Sequence, residues 1–322
     1  MIGFLIHFCL KFIFPAVKAP GLLTQSPWPW LAFLHTMIAL AWLTDIRRLI
    51  RLQDVQFLVR LMAWLGVFLA VYMIFQKLNL DPVMRYVQWK YPGFKWLDPN
   101  HMIGLMGSPF QASAVLAVLI PAISYQAFHA KRSWIWKLFL VFSLSCCWIT
   151  HSISALLAGM VGAVAASNRI QTWRLLTLTL VLGLFSLLGI YLLKPDIFLD
   201  HGRLSMWKQA FSHFIQHPIL GIGFNRFKDL GITVFDGNPY KVWWAHNEWV
   251  HFATELGAPL TLLLALFMLR EWIKMYRIHL ALFGCMVSIL ILSFFHIPFH
   301  MAPTLVVVGI CLATSHIEPK RS

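Results

Sequence analysis

The feature that most constrains this chain is a succession of long stretches carrying almost no charge. Residues 109–128, PFQASAVLAVLIPAISYQAF, hold none at all. In lipid a backbone must satisfy its own hydrogen bonds, and a helix of about 17–25 apolar residues does so while crossing the hydrocarbon. The sequence predicts ten such spans, over 2–17, 28–44, 60–76, 109–128, 134–150, 151–167, 174–193, 247–269, 279–296 and 300–316. Composition agrees: 59% of residues are hydrophobic and only 12% charged, where soluble domains carry about 25%. The runs are too uniformly apolar, and too seldom broken by Gly or Pro turns, for a barrel of alternating strands. The expected class is an all-α polytopic membrane protein, one integral domain over 1–322.

The net charge of +14 does not point to nucleic acid, because the basic residues collect in loops between spans. With the N-terminus in the cytoplasm, 14 of the 26 Lys and Arg fall on inner segments. The remainder concentrate in two long outer loops, 77–108 and 194–246, where the charge rule is weaker. Both termini are therefore expected inside. Eight of the 12 acids lie outside or at outer span ends. Polar groups of both signs meet on that face, so chemistry is expected there. The opening run MIGFLIHFCLKFIF lacks a basic start and a small-residue cleavage site, so it is read as a span rather than a cleaved signal. The five cysteines sit in apolar runs without metal-ligand spacing and are expected to pack as small core residues.

The loop 194–246 is too long for a bare connection. Within it, RLSMWKQAFSHFIQHP places Leu204, Trp207, Ala210, Phe211, Phe214 and Ile215 at helical spacing. An amphipathic helix, lying on the outer leaflet or over the core and ended by Pro218, is expected. Around it stand Arg203, Lys208, Arg226, Lys228 and Lys241. Arginine grips phosphate oxygens through two parallel hydrogen bonds, so this basic, aromatic-rich patch suits a lipid-linked pyrophosphate. Snorkelling and anionic headgroup contacts would use the same residues.

Two further stretches hold polar residues against a greasy background. WWAHNEWVHFATELGAP, 243–259, places His246, Asn247 and Glu248 just ahead of a span. His246 has the right chemistry for a general base near neutral pH, and the His-Asn pair would equally cap the helix that follows. His251 and Glu255 stand at i, i+4 and can pair on one helix face. HMIGLMGSP, 101–109, adds His101 and two glycines that permit close approach. Nine of the 14 histidines map to the outer side, among them His213 with His217 and His296 with His300, each pair four apart. Neither pair has an obvious third ligand, so no metal and no cofactor are expected.

The order of these segments resembles the O-antigen ligase and polymerase superfamily. The resemblance rests on R-x-x-x-W (Arg203, Trp207), on P-x-x-G-x-G-x-x-x-F (Pro218, Gly221, Gly223, Phe227), and on H-N…E-x-G (His246, Asn247, Glu255, Gly257). GSPFQASAVLAVLIP is similar to the family's early glycine-and-polar motif and THSISALLAG to its later serine-rich span; together these cover roughly residues 100–315. The resemblance implies a membrane glycosyltransferase fold of the C type, with about ten transmembrane helices and a helical periplasmic cap. It implies a bacterial inner-membrane enzyme that moves a glycan from undecaprenyl diphosphate to an acceptor hydroxyl at the periplasmic face. Lipid A-core, another glycan or a protein would supply that hydroxyl. Arg203 would hold the pyrophosphate and His246 would take the acceptor's proton. Lys208, Arg226, Lys228, Lys241, Trp207, Asn247, Glu255 and His101 would line the substrate. The family's arginines in the early motif and beside the serine of THSIS are absent: His101 and Ile153 stand near those positions, leaving His101 or Arg226 to supply the charge. A transporter, or a haem- or lipid-handling protein, is the alternative class, although the W-G-x-x-W-x-W-D pattern of haem handlers is missing. A non-catalytic scaffold is a third.

Overall fold

The computed structural model describes residues 52–82, 85–86, 102–104, 106, 108–167, 203–223, 226–236 and 238–315. The expected spans 2–17, 28–44 and 174–193, and His101, lie outside them. The described helices are α1 (Leu52–Lys77), α2 (Pro109–His129), α3 (Ser133–Ile149), α4 (Ile153–Ser167), α5 (Arg203–Gln216), α6 (Glu248–Ile278), α7 (Leu280–Ser293) and α8 (Ala302–Thr314). Short 3₁₀ turns cover Phe227–Leu230 and Pro298–His300. The seven spans expected within these residues each coincide with a helix. Among the described residues, three helices are long and apolar enough to cross a membrane: Asp54–Lys77 of α1, Pro109–His129 of α2 and Glu248–Ile278 of α6. The other four are shorter apolar helices. The molecule is therefore a helical protein with the hallmarks of membrane insertion.

One departure from the all-α expectation lies in the loop between α5 and α6. Thr233–Asp236 (β1) and Asn238–Lys241 (β2) pair antiparallel, Thr233 opposite Lys241 and Asp236 opposite Asn238. The reason is local. β-branched and aromatic residues flank an Asp-Gly-Asn sequence, a strong hairpin signal that the surrounding helical periodicity obscures.

The core is built around α2. Its span is 83% buried, against 22% for α6. α1, α3, α4 and α7 all pack on α2, and α4 packs on α7. Small residues make this possible. A Cβ on Gly162 of α4 would meet Ser288 Oγ at 2.0 Å and Gly284 O at 2.8 Å. Backbones so close gain dispersion and admit interhelical hydrogen bonds, here Ser288 Oγ to Ala158 O and Ser124 Oγ to Ala163 O. Cys146, Cys147, Cys285 and Cys311 are buried free thiols, as expected of small core residues.

A second, smaller core supports the loop between α5 and α6. Met206 and Ala210 of α5 join Phe227, Ile232, Val242 and Ala245, with Trp207 and Val250 against them. Leu204, Phe211 and Ile215 stay exposed on another face of α5. The helix thus has one apolar stripe on protein and one facing outward.

Candidate functional site

The N-terminal end of α6 is where His246, Asn247 and Glu248 are fixed. Asn247 is the N-cap, and its Oδ1 accepts from Trp249 N at 3.0 Å and Val250 N at 3.1 Å. Two residues before, Trp207 Nε1 donates to Ala245 O at 2.8 Å. His246 sits between these two anchors with φ of 49°. Left-handed backbone at a non-glycine residue costs about 1–3 kcal/mol and persists only where the surroundings impose it. Trp207 therefore acts on the backbone: it ties α5 to the segment that carries His246.

Further bonds tie α6 to the end of α7 and to the loop between α7 and α8. Glu248 Oε1 accepts from Phe299 N at 2.7 Å, and Trp249 Nε1 donates to Ser293 Oγ at 2.8 Å. That loop carries His296, whose Nε2 hydrogen-bonds Ser154 Oγ at 2.9 Å. Ser154 belongs to THSIS, at the start of α4. Burial first, and then the Arg203 guanidinium, hold the His246 imidazole below its usual pKa. His296 is driven down to about 3 by burial, then by Arg203 and by His246. One cation thus influences two imidazoles, each from a different part of the chain. The cluster of Arg203, His246, His296 and Ser154 draws on α5, the α6 N-terminus, the α7–α8 loop and α4.

Of these, His296 and Ser154 were not singled out by the sequence as site residues. They are 142 apart in the chain, and no spacing rule connects them. His296, which stands four residues before His300, is engaged with Ser154. Among the described residues no group of three His, Cys, Asp or Glu is arranged to hold a metal ion.

The remaining nominated residues fall elsewhere. Arg226 is exposed and its Nε lies 3.4 Å from Asp229 Oδ2. With His217 and Gly221 it lines a separate surface cavity of about 350 Å³. Its partner in the ion pair is Asp229, and the cationic influence on His296 comes from Arg203. Lys208 is exposed, about 140° around α5 from Arg203. Lys228 is half-buried in the 3₁₀ turn that follows Arg226. Lys241 ends β2, and its side chain lies outside the described parts.

Glu255 is buried and committed to protein partners. Its Oε1 accepts from Phe227 N at 2.8 Å and lies 3.5 Å from His251 Nε2, the i, i+4 pairing expected. Phe227 stacks on His251 with ring centroids 4.8 Å apart. Around this pair the P-x-x-G-x-G and E-x-G segments lock together. Ile222 N donates to Thr254 O, Gly223 N to Glu255 O and Ala258 N to Pro218 O, at 3.0, 3.0 and 2.8 Å. Gly257 bends α6 with φ of 75°. A Cβ there would meet Ile219 O at 2.2 Å, and one on Gly221 would meet Glu255 O at 2.3 Å. This geometry gives Glu255 a structural task, holding the outer loop on α6.

A different polar knot holds the 101–109 segment. Gln76 Oε1 accepts from Gly104 N at 2.7 Å, and its Nε2 donates to Gly104 O and Asp81 Oδ2, both at 3.0 Å. Tyr72 Oη donates to Asp81 Oδ2 at 2.7 Å. Gly104, with φ of 54°, is thereby pinned to the end of α1.

No protein-family model matches the chain, and no curated protein matches it.

Proposed function

We propose that this protein is a membrane glycosyltransferase of the O-antigen ligase and polymerase type. Its donor is a glycan on undecaprenyl diphosphate, and its acceptor is a hydroxyl of lipid A-core, another glycan or a protein. On this reading the chain crosses the bacterial inner membrane about ten times in a C-type fold. Both termini lie in the cytoplasm, and the site opens to the periplasm.

The observation that carries the reading is the convergence of Arg203 on two neutral imidazoles, with Trp207 fixing His246 from the same helix. That arrangement suits an anionic leaving group beside a base. Arg203 takes the pyrophosphate in a bidentate grip. The acceptor oxygen attacks the anomeric carbon as the carbon–oxygen bond to phosphate breaks. The electron pair leaves on the diphosphate, whose charge Arg203 offsets, and the hydroxyl proton passes to His246. One displacement inverts the anomeric centre, and the products are glycosylated acceptor and undecaprenyl diphosphate. No metal or cofactor takes part in this scheme. Arg203 also supplies a switch. With the pyrophosphate bound, its charge is offset, and the basicity of His246 recovers when the acceptor must be deprotonated.

The test is glycan transfer in a host lacking its own ligase and polymerase, at matched membrane expression. His246→Ala is expected to lower transfer about 100-fold or more, and Arg203→Ala by about 100- to 1,000-fold. Product length then separates single ligation from polymerisation. Transfer at wild-type rate by His246→Ala would sink the assigned base.

A further inference from the structure

At the opposite end of the helix bundle, a cavity of about 590 Å³ opens between α1, α2 and α3. Arg60 of α1 and Lys131 of the α2–α3 turn line it, and no carboxylate does. Among the described residues neither cation has an acidic partner. Gln126 also lines the cavity; it is 6% exposed, and its Nε2 has no hydrogen-bond partner among the described residues. Tyr125 and His129, ring centroids 4.2 Å apart, form part of one wall, and Trp64 with Trp136, 5.0 Å apart, part of another. A buried amide donor and two cations lining the same cavity fit a phosphate oxygen set. An apolar solute would leave that amide unsatisfied.

The surroundings say which phosphate. From the cavity, Leu61, Trp64, Leu65 and Phe68 form an exposed stripe along α1, at 44, 54, 49 and 60% exposure. This i, i+3, i+4, i+7 track suits acyl chains, and basic pockets between spans on the cytoplasmic side are lipid headgroup sites. We propose that this cavity binds the phosphodiester headgroup of an anionic phospholipid, with its chains lying along the α1 stripe. The site is remote from the Arg203 cluster and independent of glycan transfer.

Native mass spectrometry of the full chain in neutral detergent tests this, with phosphatidylglycerol, phosphatidylethanolamine and inorganic phosphate as probes. Wild type should retain phosphatidylglycerol over phosphatidylethanolamine. The double variant Arg60→Gln/Lys131→Gln should bind phosphatidylglycerol about 30-fold more weakly, roughly fivefold for each cation. Arg60→Lys alone should keep most of the binding, and Arg270→Gln, a basic residue of α6 outside the cavity, should change nothing. Gln126→Leu, which removes a donor to the phosphodiester that both lipids share, should weaken phosphatidylglycerol and phosphatidylethanolamine alike; unchanged binding of both would remove Gln126 from the site. Equal retention of the two lipids by wild type would overturn the proposal. So would undiminished binding by a double variant that unfolds at the wild-type temperature. Displacement of phosphatidylglycerol by millimolar inorganic phosphate would overturn the lipid assignment.

Discussion

His246 combines a strained backbone, two anchored neighbours and a depressed pKa. Because burial and Arg203 both disfavour the imidazolium, His246 takes up its proton below the usual 6.5, and in the proposed mechanism this imidazole is the base. The acid limb of the transfer rate should therefore lie below pH 6.5. In Arg203→Gln the repulsion is gone while burial remains, so the His246 midpoint should rise. NMR of histidine-labelled protein reads this directly, even where transfer is too slow to follow. His296 gives a stability prediction of defined sign. Its folded pKa of about 3 lies below the usual 6.5, so the unfolded chain binds the extra proton between these values. Stability linked to His296 is complete above about pH 6.5 and is lost as pH falls toward 3. A His296→Asn variant should show a shallower acid destabilisation in thermal unfolding from pH 7 to 4. The same midpoint loss in both proteins would refute it.

At the scale of elements, the junction of the outer loop with α6 depends on two glycines that touch. Gly257→Ala and Gly221→Ala each force a side chain into left-handed backbone and against a carbonyl. Each should cost about 1–3 kcal/mol. Because both disrupt the same contact, the double variant should cost less than the sum, with a coupling of about 0.5–3 kcal/mol. Thermal unfolding of the three variants measures the cycle, and strict additivity would mean that the junction is not shared. The helices themselves were legible. Long apolar runs with few charges marked the seven expected spans that coincide with described helices, and apolar spacing marked α5 with its stop before Pro218. The capping choice for Asn247 was legible too, because a cap depends only on residues two and three ahead. The hairpin at 233–241 escaped because its strands are four residues each and their signal is the turn between them.

Across the whole molecule, the proposed topology, which rests on the charge tally, puts the Arg203 end outside and the Lys131 end in the cytoplasm. A membrane-impermeant maleimide checks it. Lys208→Cys, exposed on α5, should label in right-side-out vesicles, and Lys131→Cys only in inverted ones. The buried thiols at 146, 147, 285 and 311 should stay silent in both. Labelling of both introduced cysteines from one side would reverse or break the topology. The sequence by itself determined what depends on near neighbours: which stretches lipid can accept, where an amphipathic helix runs, which asparagine caps, and that His251 and Glu255 face each other. These follow from helix periodicity and the cost of charge in hydrocarbon. The tertiary structure alone decided that Ser154 meets His296, that Arg203 influences two imidazoles, and that Glu255 binds Phe227 N rather than facing an open site. Such pairings are set by how closely helices pack, here where Gly162 and Gly284 let α4 and α7 cross and where Gly221 and Gly257 seat the outer loop. Distance along the chain carries no information about them, because the free energy of each contact arises only once the packed backbones have brought its partners within reach.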